Sequence, residues 1–378
     1  MNTYYFDNGA TTKVKPEVVE EMMPYFSEHY GNPSSVYGLA RDSKKAIEEA
    51  REKVAKLIGA KKQEIYFMGC GSEADNTAIK GIAYANKRKG NHIIVSKLEH
   101  PSIYRICDYL KTQGFEISYV NNDQDGLIDF DDLKKLMRPT TVLVSICAVN
   151  SEVGIRQPLK MIRQIIKKEN ENTIFHSDMT QAIGKVAVNF HDVDLASFSG
   201  HKIYGPKGIG IFYKSSRINI APVLYGSGKD NSLHPGTIAL PLIVSLSKAI
   251  RLAVMDLDKK ENFIRRLNEK ICNELKDIEG IQINKSKISI PHILNISLDG
   301  IKPETFIHAL EEYDIYIGTN TACSSGDLST SVMAIYNDKK RAMSTIRISL
   351  SHLTTTDEIN KFLNSFKLVY HKLHNLIN

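Results

Sequence analysis

A chain of 378 residues and 42.4 kDa, 42% hydrophobic and 24% charged, is long enough for two domains and apolar enough to bury a large core. Its net charge of +6 comes from short lysine clusters, such as 87–89 and Lys167-Lys168, interleaved with acids; these read as solvated helix faces and not as a nucleic-acid groove. Five scattered cysteines (70, 107, 147, 272 and 323) without zinc or CxxC spacing argue against a disulfide framework, the N-terminus is unlike a secretory signal, and no apolar run nears the roughly 20 residues of a membrane span, so a reducing cytoplasm is expected.

In chain order, the first strong helical pattern is 43–58, with Ala46, Ile47, Ala50, Val54, Leu57 and Ile58 on one face. Seven short apolar segments follow, at 64–68, 92–95, 115–120, 141–149, 173–177, 195–199 and 209–213, and amphipathic stretches separate many of them. That alternation predicts an α/β fold: a mostly parallel seven-stranded sheet with helices on both faces. From about 239 the pattern changes to a long charged helical region (239–277), strands near 281–285 and 293–298, and a helix at 303–313. Strands near 315–318 and 345–350 and a final helix from about 356 complete a smaller α+β domain. The division expected is 16–249 for the large domain, with 1–15 and 250–378 forming the small one.

Ligands in such sheets bind at the carboxyl ends of strands, so the residues just after each strand carry the functional signal. The first strand runs into "GCGSEADN", two glycines and a serine opening a helix, an anion site worth up to ~2 kcal/mol. An ordinary turn with Ser72 as N-cap is the plainer alternative. Later strand ends supply His100 before Pro101, the "NSEVG" turn, Asp178, and His201-Lys202 before a glycine-rich turn. Each has a dull explanation alone, as a cap, a loop residue or a surface charge. Together they match the needs of pyridoxal phosphate: a lysine for a Schiff base, a carboxylate for the pyridine nitrogen, a ring to cover the cofactor's face and a phosphate cradle. Without a Walker A or a GxGxxG after a strand, ATP and NAD are poor candidates.

The ordered blocks "YFDNGATT" (5–12), "GNPSS" (31–35), "GSEADN" (71–76), "EHPS" (99–102), "NSEVGIRQP" (150–158), "SDMTQAIGK" (177–185), "SFSGHKIYGPKG" (197–208), "PGT" (235–237), "TAC" (321–323) and "TIRISL" (345–350) resemble the cysteine desulfurases of the NifS/IscS type, class V aminotransferases of pyridoxal-phosphate fold-type I. The resemblance implies a homodimer that converts L-cysteine to L-alanine and leaves a persulfide on Cys323. A sulfur-acceptor protein, an iron–sulfur scaffold or a tRNA-thiolation enzyme, would then take that sulfur. It implies Lys202 as the Schiff-base lysine that takes the Cα proton, and His100 as the stacked ring and proton exchanger. Asp178 and Gln181 would contact the pyridine ring and its phenolic oxygen. Gly71, Ser72, Ser199 and His201 would hold the phosphate, with Thr237 from a partner subunit, and Arg347 would bind the substrate carboxylate. A free thiol has a pKa of about 8.5, so Cys323 needs some activation at neutral pH.

Several positions depart from the family pattern. Ser151 replaces the asparagine that bonds the phenolic oxygen, so that contact could pass through water. Ser72 replaces threonine, Asn231 and His234 stand at arginine positions, and the segment after Cys323 is about four residues short. Cys70 reads as a small packing residue. Two other function classes fit less well: another pyridoxal-phosphate reaction, such as selenocysteine lyase or transamination, and a degenerate scaffold protein.

Overall fold

The computed structural model describes residues 3–226, 233–319 and 328–376; Cys323 and Asn231 lie outside the described residues. Twelve strands are described: β1 (Tyr4–Tyr5), β2 (Ile65–Met68), β3 (His92–Ser96), β4 (Glu116–Val120), β5 (Thr141–Ser145), β6 (Ile174–Asp178), β7 (Leu195–Ser199), β8 (Gly210–Lys214), β9 (Ile281–Asn284), β10 (Ile293–Leu298), β11 (Ile315–Tyr316) and β12 (Thr345–Ser349). The large sheet has seven strands in the order β2-β8-β7-β6-β5-β3-β4. β8 runs antiparallel to both of its neighbours, and the other pairings are parallel.

β3, β5 and β7 are buried along their whole length; β3 and β5 carry unbroken apolar centres at 93–95 and 142–144, while β7 buries its serines with its apolar residues. One face packs on helices Gly38–Ile58, Leu159–Glu169 and Leu240–Val254 through Val54, Ile162, Ile166, Leu246 and Ile250. The other packs on helices Gly71–Asn86 and Pro101–Thr112 through Ile79, Ile82, Ile106 and Leu110. A separate core fills the space between the antiparallel sheet β12-β10-β9 and helices Leu257–Leu275, Pro303–Glu311 and Thr356–His374. Phe306, Phe362 and Phe366 sit there with ring centroids 4.9 to 5.5 Å apart, and Phe6 joins Phe362 at 5.0 Å. Each such ring contributes about 1.5–3 kcal/mol by leaving water. Phe6 and the pairing of β1 with β11 attach the N-terminal segment to this second core.

Three boundaries differ from the sequence reading. The first long helix starts at Gly38, five residues earlier than the pattern at 43–58, because Ala40 and Ser43 are buried and extend its packed face. β5 ends at Ser145, not 149: beyond it, the N–H of Cys147 turns to the side chain of Glu99 at 2.7 Å. The region 239–277 is two helices, broken where Asp256 takes φ 52°, a conformation that aspartate tolerates better than most residues. Lys260 Nζ donates to the freed carbonyls of Leu252 at 2.6 Å and Ala253 at 3.3 Å across that break.

Candidate active site

The carboxyl ends of β2, β3, β5, β6 and β7 open into one cavity of about 230 Å³. Of the residues singled out in the sequence, Gly71, Ser72, His100, Ser151, Asp178, Gln181, Ser199, His201, Lys202 and Arg347 line it. Thr237 does not; it lies exposed outside the cavity of its own chain. Gly9, Ala10, Cys70, Asp75, Leu98, Cys147, Val149 and Thr180 complete the wall.

At one end the helix Gly71–Asn86 points its first turn into the cavity. Its N-cap position is Cys70, not Ser72, so Ser72 falls inside the first turn, where its backbone N–H has no helical acceptor. The chain packs closely at Gly71: a Cβ there would meet Thr180 Oγ1 at 3.3 Å, a tight contact, and Ser199 Cβ at 3.5 Å. Cys70 is exposed and contributes to the cavity wall, which corrects its reading as a packing residue. His201, from the turn after β7, is lowered to about 4 by burial and then by Lys202, Lys207 and Lys185, so it is neutral there.

Lys202 reaches across to the N-terminal segment, where Nζ donates to the carbonyls of Gly9 and Ala10, both at 2.6 Å. Asp178 ends β6, and its Oδ1 accepts from the Thr180 N–H at 2.8 Å. Behind it lies a buried acid, Asp75, which burial and the nearby Asp178 raise well above the usual carboxylate range. Asp75 accepts from the Ser197 hydroxyl and, at 2.9 Å, from Ser102 Oγ.

Ser102 also fixes His100. Its backbone N–H donates to His100 Nδ1 at 3.2 Å and its Oγ lies 2.8 Å from the same nitrogen, so His100 caps the helix Pro101–Thr112. Burial lowers His100, opposed by Asp178 and reinforced by Lys202 and Arg347, which keeps the ring neutral at pH 7. With Nδ1 occupied, Nε2 is the nitrogen free to exchange a proton.

Arg347, on β12, is 2% exposed and closes the cavity from the other core. Its fork binds Asp7 Oδ1 at 2.8 Å and the Ser151 carbonyl at 3.0 Å, while its Nε has no hydrogen-bond partner among the described residues. Gly9 permits this approach: a Cβ there would lie 3.1 Å from that Nε. Next to Ser151, the buried Glu152 accepts from Ser329, the N-cap of the helix Thr330–Tyr336. Burial raises Glu152 above the usual carboxylate value, against its bonds from Ser329 and Ser331 and the charge of Arg347.

The residues fit pyridoxal phosphate. A helix N-terminus beside Ser199 and His201 suits a phosphate, and Gly71 leaves the space that a side chain would fill. Amine, carboxylate, imidazole and guanidinium face the same volume. No group of three or more His, Cys, Asp or Glu able to hold a metal occurs among the described residues, and no helix among them is long and apolar enough to cross a membrane.

Sequence reasoning missed Ser102, Asp75 and Lys185 as neighbours of the site. Ser102 and Asp75 lie within quoted motifs, and their one visible signal is a polar residue just inside a helix that follows a strand.

The profile of the family described as "Aminotransferase class-V" matches residues 4–362. The chain is 38% identical to a protein named "Cysteine desulfurase IscS" from Clostridium botulinum (strain Hall), over 95% of this chain and 92% of the relative. Among solved structures, a "NIFS-LIKE PROTEIN" superposes with TM-score 0.92 at 35% identity, covering 99% of this chain and all of the other. A second, "SspA in complex with cysteine", superposes with TM-score 0.80 at 31% identity, covering 94% of this chain and all of the other.

Proposed function

Because the chain belongs to the class-V aminotransferase family, we propose that its cavity carries out pyridoxal-phosphate-dependent cysteine desulfuration, with Lys202, His100 and Cys323 as catalytic residues. The observation that carries this reading is one volume lined by Lys202, Asp178, His100 and Arg347 at the mouth of a helix N-terminus. Bound there, the cofactor would supply an electron sink conjugated to the substrate Cα.

The chain's own residues do the rest. Gly71, Ser72, Ser199 and His201 hold the phosphate, Asp178 the pyridine nitrogen, and Gln181 and Ser151 the phenolic oxygen. Arg347 takes the substrate carboxylate, for which a guanidinium fork is better shaped than a lysine. Lys202 would hold the cofactor, and its amine would remove and return the proton at the substrate Cα. The Cys323 thiolate attacks the substrate sulfur: an S–S bond forms on the enzyme, the Cβ–S bond breaks, and its electron pair stays with the carbon skeleton. Protonation at that carbon gives alanine, and His100 Nε2 exchanges the proton of the thiol chemistry. The persulfide passes to a sulfur-acceptor protein, an iron–sulfur scaffold or a tRNA-thiolation enzyme, in the cytoplasm.

Residues 16–249 act as the cofactor-binding domain and 1–15 with 250–378 as the second, supported by the attachment of Phe6 and β1 to the second core. Met23, Phe26, Tyr30, Val36, Tyr37 and Leu39 form a run of exposed apolar side chains. That run suits a second copy of the chain, which would bring its Thr237 to the phosphate.

Mass spectrometry after L-cysteine treatment without reductant tests this reading. The expected result is one added sulfur on Cys323, alanine in the medium, and loss of both in Lys202→Ala. Alanine release without modification of Cys323 overturns the role given to that residue.

A further inference from the structure

Lys185 is a buried lysine that the chemistry above does not use. It is 8% exposed, in the turn that follows β6, three residues beyond Ala182 and directly after the left-handed Gly184. Its Nζ donates to Gln181 Oε1. Gln181 Nε2 donates in turn to the Gly9 carbonyl at 2.9 Å, the same oxygen that receives Lys202 Nζ at 2.6 Å. Three side chains and one carbonyl thus make a continuous chain from the interior to the catalytic amine.

Burying an amine without an acidic partner is costly, so this one needs a reason. Burial, followed by Lys202 and Arg347 and opposed by Asp178, pulls Lys185 down to about 7. His201 and the buried His292 also face its charge. As an ammonium, its state below about 7, the amine has only N–H bonds to offer, and Gln181 Oε1 receives one of them.

A terminal amide can turn over and exchange its oxygen for its NH2 group. An ammonium on one side, being a donor with no acceptor, tolerates the oxygen end alone. We propose that Lys185 is a positioning residue that locks the Gln181 amide with its oxygen inward and its N–H groups toward the cavity. The proposal rests on the reading of Gln181 as a contact to the cofactor's phenolic oxygen. An N–H facing that oxygen stabilises its anionic form; an inverted amide would set a lone pair against it.

The pH titration of the bound cofactor's visible absorption tests this, alongside the melting temperature of each apoprotein. Lys185→Met moves the spectral transition upward by about one pH unit, which is ~1.4 kcal/mol, the size of one hydrogen bond. Lys185→Leu is made beside it, so that a packing failure of one variant does not decide the result. Gln181→Leu gives a similar shift, and the Lys185→Met/Gln181→Leu double variant shifts no further. Lys185→Gln, which still donates to Oε1, restores the transition to near its original pH. An unmoved transition in Lys185→Met and Lys185→Leu, with Gln181→Leu shifted, overturns the proposal and leaves the Gln181 reading in place. No shift in Gln181→Leu overturns both. Equal shifts in Lys185→Met and Lys185→Gln, or additive shifts in the double variant, overturn the action through Gln181.

Discussion

Ser102 is bonded to both the buried Asp75 and the catalytic imidazole, and so it decides how His100 is presented. Removing its hydroxyl in Ser102→Ala leaves the backbone N–H on Nδ1 but frees the ring to rotate about that bond. One hydrogen bond is worth about 0.5–1.5 kcal/mol, so kcat should fall about two- to tenfold. Cofactor affinity should fall less than kcat, since Ser102 does not line the cavity and acts on the site through the His100 ring. Steady-state alanine release with a fluorescence titration of the cofactor checks both halves, and a proportional loss of cofactor binding refutes the assignment. Glu152 offers a second residue-scale case. Glu152→Gln preserves both its shape and its capacity to receive the Ser329 hydroxyl. Denaturant unfolding should therefore place Glu152→Gln within about 1 kcal/mol of the parent, and Glu152→Ala about 1–3 kcal/mol below it, the cost of leaving buried polar partners unmet.

At the scale of elements, the segment that carries Thr237 is tied to the helix Gly71–Asn86 by one ion pair, His234 Nδ1 to Glu73 Oε1 at 2.5 Å. The bond from Glu73 raises His234 above its ordinary value against partial burial. A group whose folded value is raised stabilises fully below its unfolded value, about 6.5, and loses that contribution as pH rises through the folded value. The tie therefore holds in mild acid and relaxes in alkali. Thermal melts of the apoprotein and of His234→Ala should differ most near pH 6 and converge as the solution turns alkaline. A gap that widens with pH contradicts the assignment. The element boundaries teach a related lesson. The strand–helix alternation was legible because β3 and β5 are buried along their length and carry apolar centres at 93–95 and 142–144. The break at Asp256 was not, because it depends on Lys260 capping carbonyls from the preceding helix.

Across the whole molecule, histidines lowered by burial outnumber carboxyls raised by it. Burial lowers His92 to about 4 and His176 to about 3, and it lowers His292 well below its usual value. His201 and His352 are lowered to about 4 as well. Between pH 6.5 and 5 the unfolded chain protonates all of these, while the folded protein leaves them neutral, so stability falls as pH falls. Asp75, Glu99 and Glu152 oppose this, since their raised values let the folded state hold protons that the unfolded chain releases. Six lowered histidines, His100 among them, stand against these three carboxyls and the raised His234, which leaves the histidines in control. Calorimetry of the apoprotein should show the melting temperature dropping from pH 6.5 to 5; a flat or rising curve would mean the carboxyls dominate.

The sequence by itself determined the α/β class, the two cores and the chemistry of the cavity. The carboxyl ends of parallel strands lie along one edge of a sheet, so the sequence put His100, Asp178 and Lys202 on that edge, and the strand order β7-β6-β5-β3 brings them to one cavity. Only the tertiary structure decided what surrounds them. Arg347 reaches Asp7 across 340 residues of chain, and the backbone of Gly9 becomes a wall of the site, because β1 and β12 both join the second core. Lys185 looks like any surface lysine in one dimension. Burial is a property of what packs around a side chain, and that is settled between elements, not within them.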